Sequence, residues 1–510
     1  MGRVTTNSLG LSAARETSLG VLPVSPVWRR LEPNSINQFG STISKTVRNP
    51  ISQSRQRRKG IITDLDSAVE AEMDLTMSAF RDYMEGFCFS VAKGAPVFIP
   101  SAATAGAFTV PAVSAGDAAK IQYGASSAKT LFFARGFDLS ANGGLFVAGA
   151  AVATSATSIT VTGGALAETP DATDDVELAV AGVRGATGDL EIDSDGNLIS
   201  AALDFTTLGL NVGQWIHIGG VDATNQFFTE ANYGFVRVAL VAANKITIAR
   251  RPNAFTADDG TVDNAAGAGL SIDILFGQWV RNVGVNDPDY LEISTQFELE
   301  SPNLGAAGAA NYEYALGNYH DTANISIPLT DKATITYGFI GTDTSDPSAS
   351  RATNADEALE PSESSAFGTA SDIARLVIHE VDETGLTTDF KSLDITITNN
   401  VTPEKVLGLL GARYMNLGNF EADIEAQVLF TDPAVPAAIR ANSTLGLYFA
   451  LRNDDGGMMC DYPSGTLEGG GREFPVNQTV LMNTTFMAFE DSALGYSFSA
   501  SLFPVLPELV

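Results

Sequence analysis

Cysteine, histidine and long apolar runs are what this sequence has least of. Its 2 cysteines, Cys88 and Cys460, lie far apart in apolar surroundings, which excludes a disulfide framework and leads to the expectation of two reduced, buried thiols. The 3 histidines, His217, His320 and His379, fall in separate segments, with no CxxC, HExxH, Walker or GxSxG pattern anywhere, so the well-marked zinc, phosphate and hydrolase chemistries have no footing. His217 (QWIHIGG) and His379 (RLVIHEV) sit in strand-like stretches, where a hydrogen-bonded structural histidine is expected. No apolar run approaches a membrane span, and the opening residues lack a secretory pattern. The start MGRVTT fits the short myristoylation pattern only as a chance match. These absences give the expectation of a soluble protein that assembles inside a cell. One stretch imitates a metal site: EIDSDGN, 191–197, has the look of a calcium loop. With Gly196 in the glycine position, the place of the bidentate Glu falls on Ala202, so an Asp-Gly hairpin turn is the better reading. Paired carboxylates are no more than 60 acidic residues would produce, and neither an active site nor a metal nor a cofactor is called for.

The chain of 510 residues is too long for one core and implies about two to four domains. With 45% hydrophobic residues, 48 Gly and only 18% charged, it reads as a folded, loop-rich, mainly β protein. Its net charge of −30 is uneven. Residues 1–60 hold ten Lys/Arg against Glu16 and Glu32, which leaves 20 basic and 58 acidic residues in 61–510. A head of +8 joined to a body of −38 suits head-to-tail self-association and argues against a cationic nucleic-acid binder.

Residues 27–37 read as a strand entering a loop, and 38–60, ending in SRQRRKG, as an exposed arm or extended hairpin. Next comes TDLDSAVEAEMDLT, 63–76, which alternates with period two. Leu65, Val69, Ala71, Met73 and Leu75 face a core, and Asp64, Asp66, Glu70, Glu72 and Asp74 face water or a partner. At Thr76 the period turns helical, through Met77, Phe80, Met84 and Phe87, with Thr76 or Ser78 as the cap. From 138 to 275 the texture becomes Gly, Ala, Thr and Val in short alternating segments, including LNVGQWIHIGG and NYGFVRVALVAANKITIA. This predicts a small inserted β domain. Longer strands return over 285–341, and 342–370 is the best linker in the chain.

Beyond the linker the first pattern comes back. NFEADIEAQVLFT, 419–431, aligns with DLDSAVEAEMDLT, 64–76, at an offset of 355, repeating the acidic face as Glu421, Asp423 and Glu425. Asp432 and Pro433 then offer a cap and first-turn proline for a helix through about Ala441. TITYGFIGTD, 334–343, is echoed by NTTFMAFEDS, 483–492. Two related β-sandwich or barrel modules, each with a short helix, are expected: 1–137 with 276–341, and 371–510, with the insert interrupting the first.

The opening, SLGVLPVSPVWRRLEPNSI with RNPISQSRQRRKG and TDLDSAVEAEMDLTMSAFRDYMEGF, resembles that of tail tube proteins (major tail proteins) of long-tailed, non-contractile-tailed bacteriophages. The likeness is clearest over residues 1–90 and weaker over the insert and 370–510. It implies a structural virion protein, not an enzyme, whose inner strands join around a ring and whose rings stack into the conduit for genome ejection. On that reading Asp64, Asp66, Glu70, Glu72, Asp74, Glu421, Asp423 and Glu425 face the lumen, where DNA passes without specific binding. The arm with Lys45, Arg48, Arg55, Arg57, Arg58 and Lys59 stacks one ring on the next. The insert decorates the outside and is dispensable for assembly. Two modules per chain imply three chains in a pseudo-sixfold ring, assembled in the host cytoplasm into the virion tail, with other tail proteins at the tube ends. The alternative is an acidic, β-rich surface-layer or adhesin-type structural protein. A polysaccharide-cleaving enzyme would need two carboxylates facing across a cleft.

Overall fold

In the computed structural model the alternating segment 63–76 is part of a 17-residue strand, Arg58–Asp74, that pairs with Pro33–Arg48 from Pro33 opposite Met73 out to Arg48 opposite Arg58. The structure describes residues 4–507 except 52, 54, 125–126, 172, 251–253, 266, 303–308, 353–357, 360–364, 370, 380–389, 430–433, 475 and 478. The stretch 38–60, expected as an exposed arm or extended hairpin, takes the hairpin form: its first strand runs as far as Arg48, and the arm is the outer end of a long hairpin. Helix Met77–Cys88 follows, capped by Thr76, whose Oγ1 accepts from Ala79 N at 3.1 Å. Its Met77, Phe80, Met84 and Phe87, joined by Tyr83 and Cys88, enter the main core.

Two sets of six strands carry the architecture. The first comprises β1 (Gly10–Arg15), β2 (Pro33–Arg48), β3 (Arg58–Asp74), β4 (Ser294–Pro302), β5 (Ala310–Ile327) and β6 (Thr334–Gly341), with helix α1 (Met77–Cys88) after β3. The second comprises β7 (Ile373–His379), β8 (Phe390–Thr398), β9 (Glu421–Leu429), β10 (Leu445–Asn453), β11 (Gly456–Glu473) and β12 (Leu481–Ala488), with helix α2 (Ala434–Ala441) after β9. In the first set β1 pairs with β4, β4 with β5, β5 with β6, β6 with β3 and β3 with β2, all antiparallel. In the second set β7 pairs with β10, β10 with β11, β11 with β12, β12 with β9 and β9 with β8. The connectivity is the same strand for strand, so the duplication lies in topology as well as in face chemistry. The register corrects one detail. Gly338 opposes Glu70 while Thr485 opposes Glu425, so β6 and β12 correspond at an offset of 147, where 334 matched to 483 would give 149. The capping residues expected for α2, Asp432 and Pro433, lie outside the described residues.

The two sets are joined edge to edge. The second half of β5 pairs on its far side with β8, from Thr322 opposite Thr398 to Ile327 opposite Leu393. The result is one sheet in the order β2-β3-β6-β5-β8-β9-β12-β11. Behind it a line of apolar residues, Met73, Ile335, Ile325, Ile395, Ile424, Phe486 and Leu467, crosses seven strands, and both helices pack on that side. The two thiols are free and buried in the same core.

The insert differs from expectation in its bounds. Its own sheet and core run from Val97–Phe98 to Asp273–Leu275, so a boundary at 138 would part strand Lys129–Arg135 from its hydrogen-bonded neighbour Gly144–Ala148. Composition changes at 138, but Phe98, Phe108 and Phe132 already belong to the insert's core. Trp215–Ile218, Gly234–Ala242 and Lys245–Arg250 are consecutive paired strands, as their alternation suggested. The insert is also not loosely hung. Trp215 and Phe235 share a core with Tyr448, Ala450, Met459 and Phe503 of the second set's end, and Arg237 bonds Asp461 at 3.0 Å. On the other side Arg81 and Arg135 hold Glu177, and Arg29 holds Asp175. The 342–370 segment is likewise strapped down where described: Leu359 N donates to Trp28 O, and Phe367, fully buried, donates to Leu75 O.

Candidate functional site

Because successive side chains alternate across a strand, the eight-stranded sheet presents every second residue on the face away from the helices. Three cross-strand lines define it. One runs Asp74, Thr334, Ser326, Asp394, Glu425, Thr485, Glu468. The next runs Ser35, Glu72, Thr336, Asn324, Thr396, Asp423, Met487, Thr466. The third runs Gln38, Glu70, Gly338, Thr322, Thr398, Glu421. The face is built of carboxylates spaced by Thr, Ser, Asn and Gly. It brings Glu70, Glu72, Asp74, Glu421, Asp423 and Glu425 together on one surface and adds two acids that the repeat did not reveal, Asp394 and Glu468. Asp394 could have been read from LDITIT, where it alternates with Leu393 and Ile395; the glycines of LEGGG hide the period around Glu468.

The remaining two acids are placed differently. Asp64 and Asp66 lie further out along β3, where the arm begins, and Lys405 Nζ donates to each at 2.6 Å. That hydrogen bond holds the Asp64 carboxyl below its usual range and raises Lys405. Lys332 pairs with Asp74 at 2.6 Å, and Asn37 donates to Glu70 at 2.9 Å. In the second set the balance reverses. Partial burial, with the neighbouring carboxylates of Glu421, Glu468 and Glu425, pushes Asp423 up, and no Lys or Arg pairs with any of the four acids among the described residues.

The arm carries Lys45, Arg48, Arg58 and Lys59 on its paired strands and Arg55 and Arg57 in its turn. None of the six makes an ion pair with a described residue. Apolar side chains accompany them: Ile43, Val47, Ile61 and Ile62 are exposed, and Ile51 at the tip is entirely so. Sequence reasoning treated the arm as electrostatic and missed this component, because short polar spacers separate the β-branched residues.

Other places where chemistry could reside are structural. The 191–197 stretch is a hairpin turn, with Asp193 accepting from Asp195 N and Asn197 N and bonded by Lys245 at 2.7 Å. His217 is buried with Nδ1 3.0 Å from Gly219 O, and burial lowers its pKa to about 4. His320, equally buried against Phe87 and Phe339, is lowered to about 3. The side chain of His379 lies outside the described residues. A cleft of about 420 Å³ between α1 and the insert is lined by Arg15, Arg29 and Arg81, each already engaged with a carboxylate. No helix among the described residues is long and apolar enough to cross a membrane.

The duplicated antiparallel β-sandwich presents one polar sheet face, and two edges of that sheet have no backbone partner among the described residues. The chain belongs to the phage tail tube protein family, whose sequence model matches residues 6–480. It is thus a structural component of the virion tail, of a family that assembles into the tail tube. No curated protein matches the sequence.

Proposed function

We propose that three chains close into a ring of six modules, that rings stack into the tail tube, and that the acidic sheet face lines the bore through which DNA leaves the capsid. The single observation that carries this reading is the β5–β8 joint, which already fuses two modules into one sheet within the chain. The same sheet ends on two unpaired edges, β2 at one side and the outer half of β11 at the other, with no backbone partner among the described residues. Unprotected edges of this kind are templates for strand addition. Carrying the joint over by the duplication pairs β11 with β2 of the next copy, Glu468 opposite Thr42 and Glu473 opposite Gln38. Phe474, at 73% exposure, then approaches Ile36 and is taken out of water.

The helices and the apolar core occupy the other side of the sheet, so the polar face is the side free to border a channel. Carboxylates interspersed with short polar side chains offer phosphates no cation to grip. Screening confines the repulsion to about 8 Å at physiological salt, which makes it a thin film along the wall. The insert then lies outside the tube, and the arm beyond Arg48, with Arg55, Arg57, Arg58, Lys59 and Ile51, reaches the adjoining ring. Electron cryomicroscopy of tubes assembled from the purified protein tests the reading. Rings of three chains with Glu72, Asp423 and Glu425 toward the axis are expected; six whole chains per ring, or the helices turned inward, would overturn it.

A further inference from the structure

The two modules use the same connection in different ways. Between β8 and β9 the chain forms a short hairpin, Thr402–Lys405 with Ala412–Asn416, that lies against the first module. Its Ala412 and Met415 pack with Phe89 and Tyr319, and its Lys405 holds Asp64 and Asp66 at 2.6 Å. The corresponding connection in the first module, between β2 and β3, is the basic arm. The chain therefore displays once, internally, how such a connection grips the module beside it.

Of the two acids that the equivalent grip would use, one is present and unoccupied; the position of Asp64 is taken by Asn419. The offset of 355 carries Asp66 to Glu421, which is exposed and has no cation partner among the described residues. The register carries Thr398, opposite Glu421, to Thr42, opposite Asp66. Lys45 and Arg48 follow three and six positions beyond Thr42, and register shifts at Ser44/Lys45 and Thr46/Arg48 bend the strand at that level. One side of each chain thus has cations without an acid, and the other has an acid without a cation.

We propose that Lys45 and Arg48, at the root of the arm, clamp Glu421 of the adjacent copy within the same ring, as Lys405 clamps Asp64 and Asp66 within the chain. The root works laterally, and only the tip beyond it is left for contact between rings. This rests on the ring reading above, and the test separates the two.

Lys45→Cys and Glu421→Cys are introduced together and the assembled protein is treated with a short bis-maleimide; Cys88 and Cys460 are 2% and 0% exposed and stay unreacted in the folded chain. A lateral clamp gives a ladder on a denaturing gel that ends at the number of chains in one ring. A ladder running on to species too large to enter the gel means contact between rings and overturns the clamp. So does the absence of cross-links in preparations where tubes are visible. If the unmodified protein forms neither rings nor tubes, the assembly reading itself falls and the clamp with it. As a second arm, Glu421→Lys alone, or Lys45→Glu with Arg48→Glu, raises the concentration needed for rings roughly fivefold, the scale of one exposed ion pair. All three changes together restore it, which loss of fold would not allow.

Discussion

The strand Arg58–Asp74 of the first module and the strand Glu421–Leu429 of the second hold the same place in the same sheet, yet their carboxylates live in opposite conditions. In the first, Lys405 and Lys332 neutralise Asp64, Asp66 and Asp74. In the second, Glu421, Asp423 and Glu425 face one another and Glu468, with no cation paired to them among the described residues. Duplication kept the register, which the buried rows enforce, because a slip of one residue would turn every apolar side chain outward. It did not keep the connections, which no core constrains, and the connections decide which charges are compensated.

The sharpest break between the halves is how each holds the insert, and the largest effect is expected there. The second module meets it through a shared core and one buried ion pair, Arg237–Asp461 at 3.0 Å, whereas the first meets it through the ion pairs lining a cleft. Trp215→Ala empties the shared core and should cost about 3–5 kcal/mol; Asp461→Asn strands a buried guanidinium at a similar cost. Both should lower the urea midpoint of the unfolding transition reporting the second module far more than Arg29→Gln does. Equal, small shifts would mean that the insert is attached as weakly to both. The same contacts revise the expectation that the insert can be removed without consequence. Deleting 95–276 uncovers Tyr448, Met459 and Phe503, and insoluble protein is the expected outcome.

A second comparison concerns helix packing. Gly86 lies under the His320 ring, where an added Cβ would come within 2.3 Å of Cε1 and Nε2. At the offset of 355 the second module has Ala441, which is exposed, so the close approach of Gly86 to His320 has no counterpart at that position in the second module. Gly86→Ala should therefore destabilise by about 1–3 kcal/mol through overpacking, measured as a fall in melting temperature. His320→Leu in the same chain should recover part of the loss, since it replaces the rigid ring that the added methyl meets with a side chain that can change rotamer. If Gly86→Ala alone melts like the unmodified protein, the helix has room to shift away from the His320 ring.

Much of this was legible in the sequence. The alternation of 63–76, its return at 419–431 and the switch to helix at Thr76 are local signals strong enough to fix strands, faces and cap. What stayed hidden was relational. Lys405 is 341 residues from Asp64, and nothing near either residue announces the other. The insert's true start, near residue 95, has the same texture as the module it interrupts. The segment 342–370 has linker composition, yet Phe367 is buried and bonded to Leu75, a case of tertiary packing overriding composition. Asp394 sits in a readable strand, but only the pairing of β8 with β9 puts it directly opposite Glu425.

The arm and its counterpart hairpin give a smaller effect that separates charge from apolar contact. Reversing Arg55, Arg57, Arg58 and Lys59 to Glu should leave rings that no longer stack at low salt, since exposed pairs worth about 0–1 kcal/mol each recur at every contact around a ring. Ile51 is fully exposed beside them, and its contribution does not screen. Ile51→Ser should therefore weaken tubes equally at low and high salt, whereas stacking of the unmodified protein weakens only in part as salt rises. Negative-stain counts of tube length across a salt series distinguish the two. Normal tubes from the quadruple variant at every salt concentration would remove the tip from the stacking contact.

The smallest expected effect bears most directly on the opening contrast, and its sign differs between the modules. Asp64 has a folded pKa below its ordinary value, so its contribution is present above that value and is lost as pH falls through the folded pKa. Asp423 is raised, so the folded state favours its protonated form; that contribution is full below the ordinary carboxylate value and disappears as pH rises through the folded pKa. Going from pH 7 toward 4 should therefore relieve the second module's face while the first still keeps its Lys405 bridge. Asp423→Asn should raise the melting temperature slightly at pH 7 and do nothing at pH 3, whereas Lys405→Gln should lower it at pH 7. Each change should stay within about 1 kcal/mol, because both sites are open to solvent. Melting curves of the two variants at the two pH values, taken at low protein concentration to keep assembly out of the measurement, decide the matter. Should Asp423→Asn destabilise at pH 7, the second module's acids are not in mutual strain, and the vacancy opposite the arm root loses its electrostatic ground.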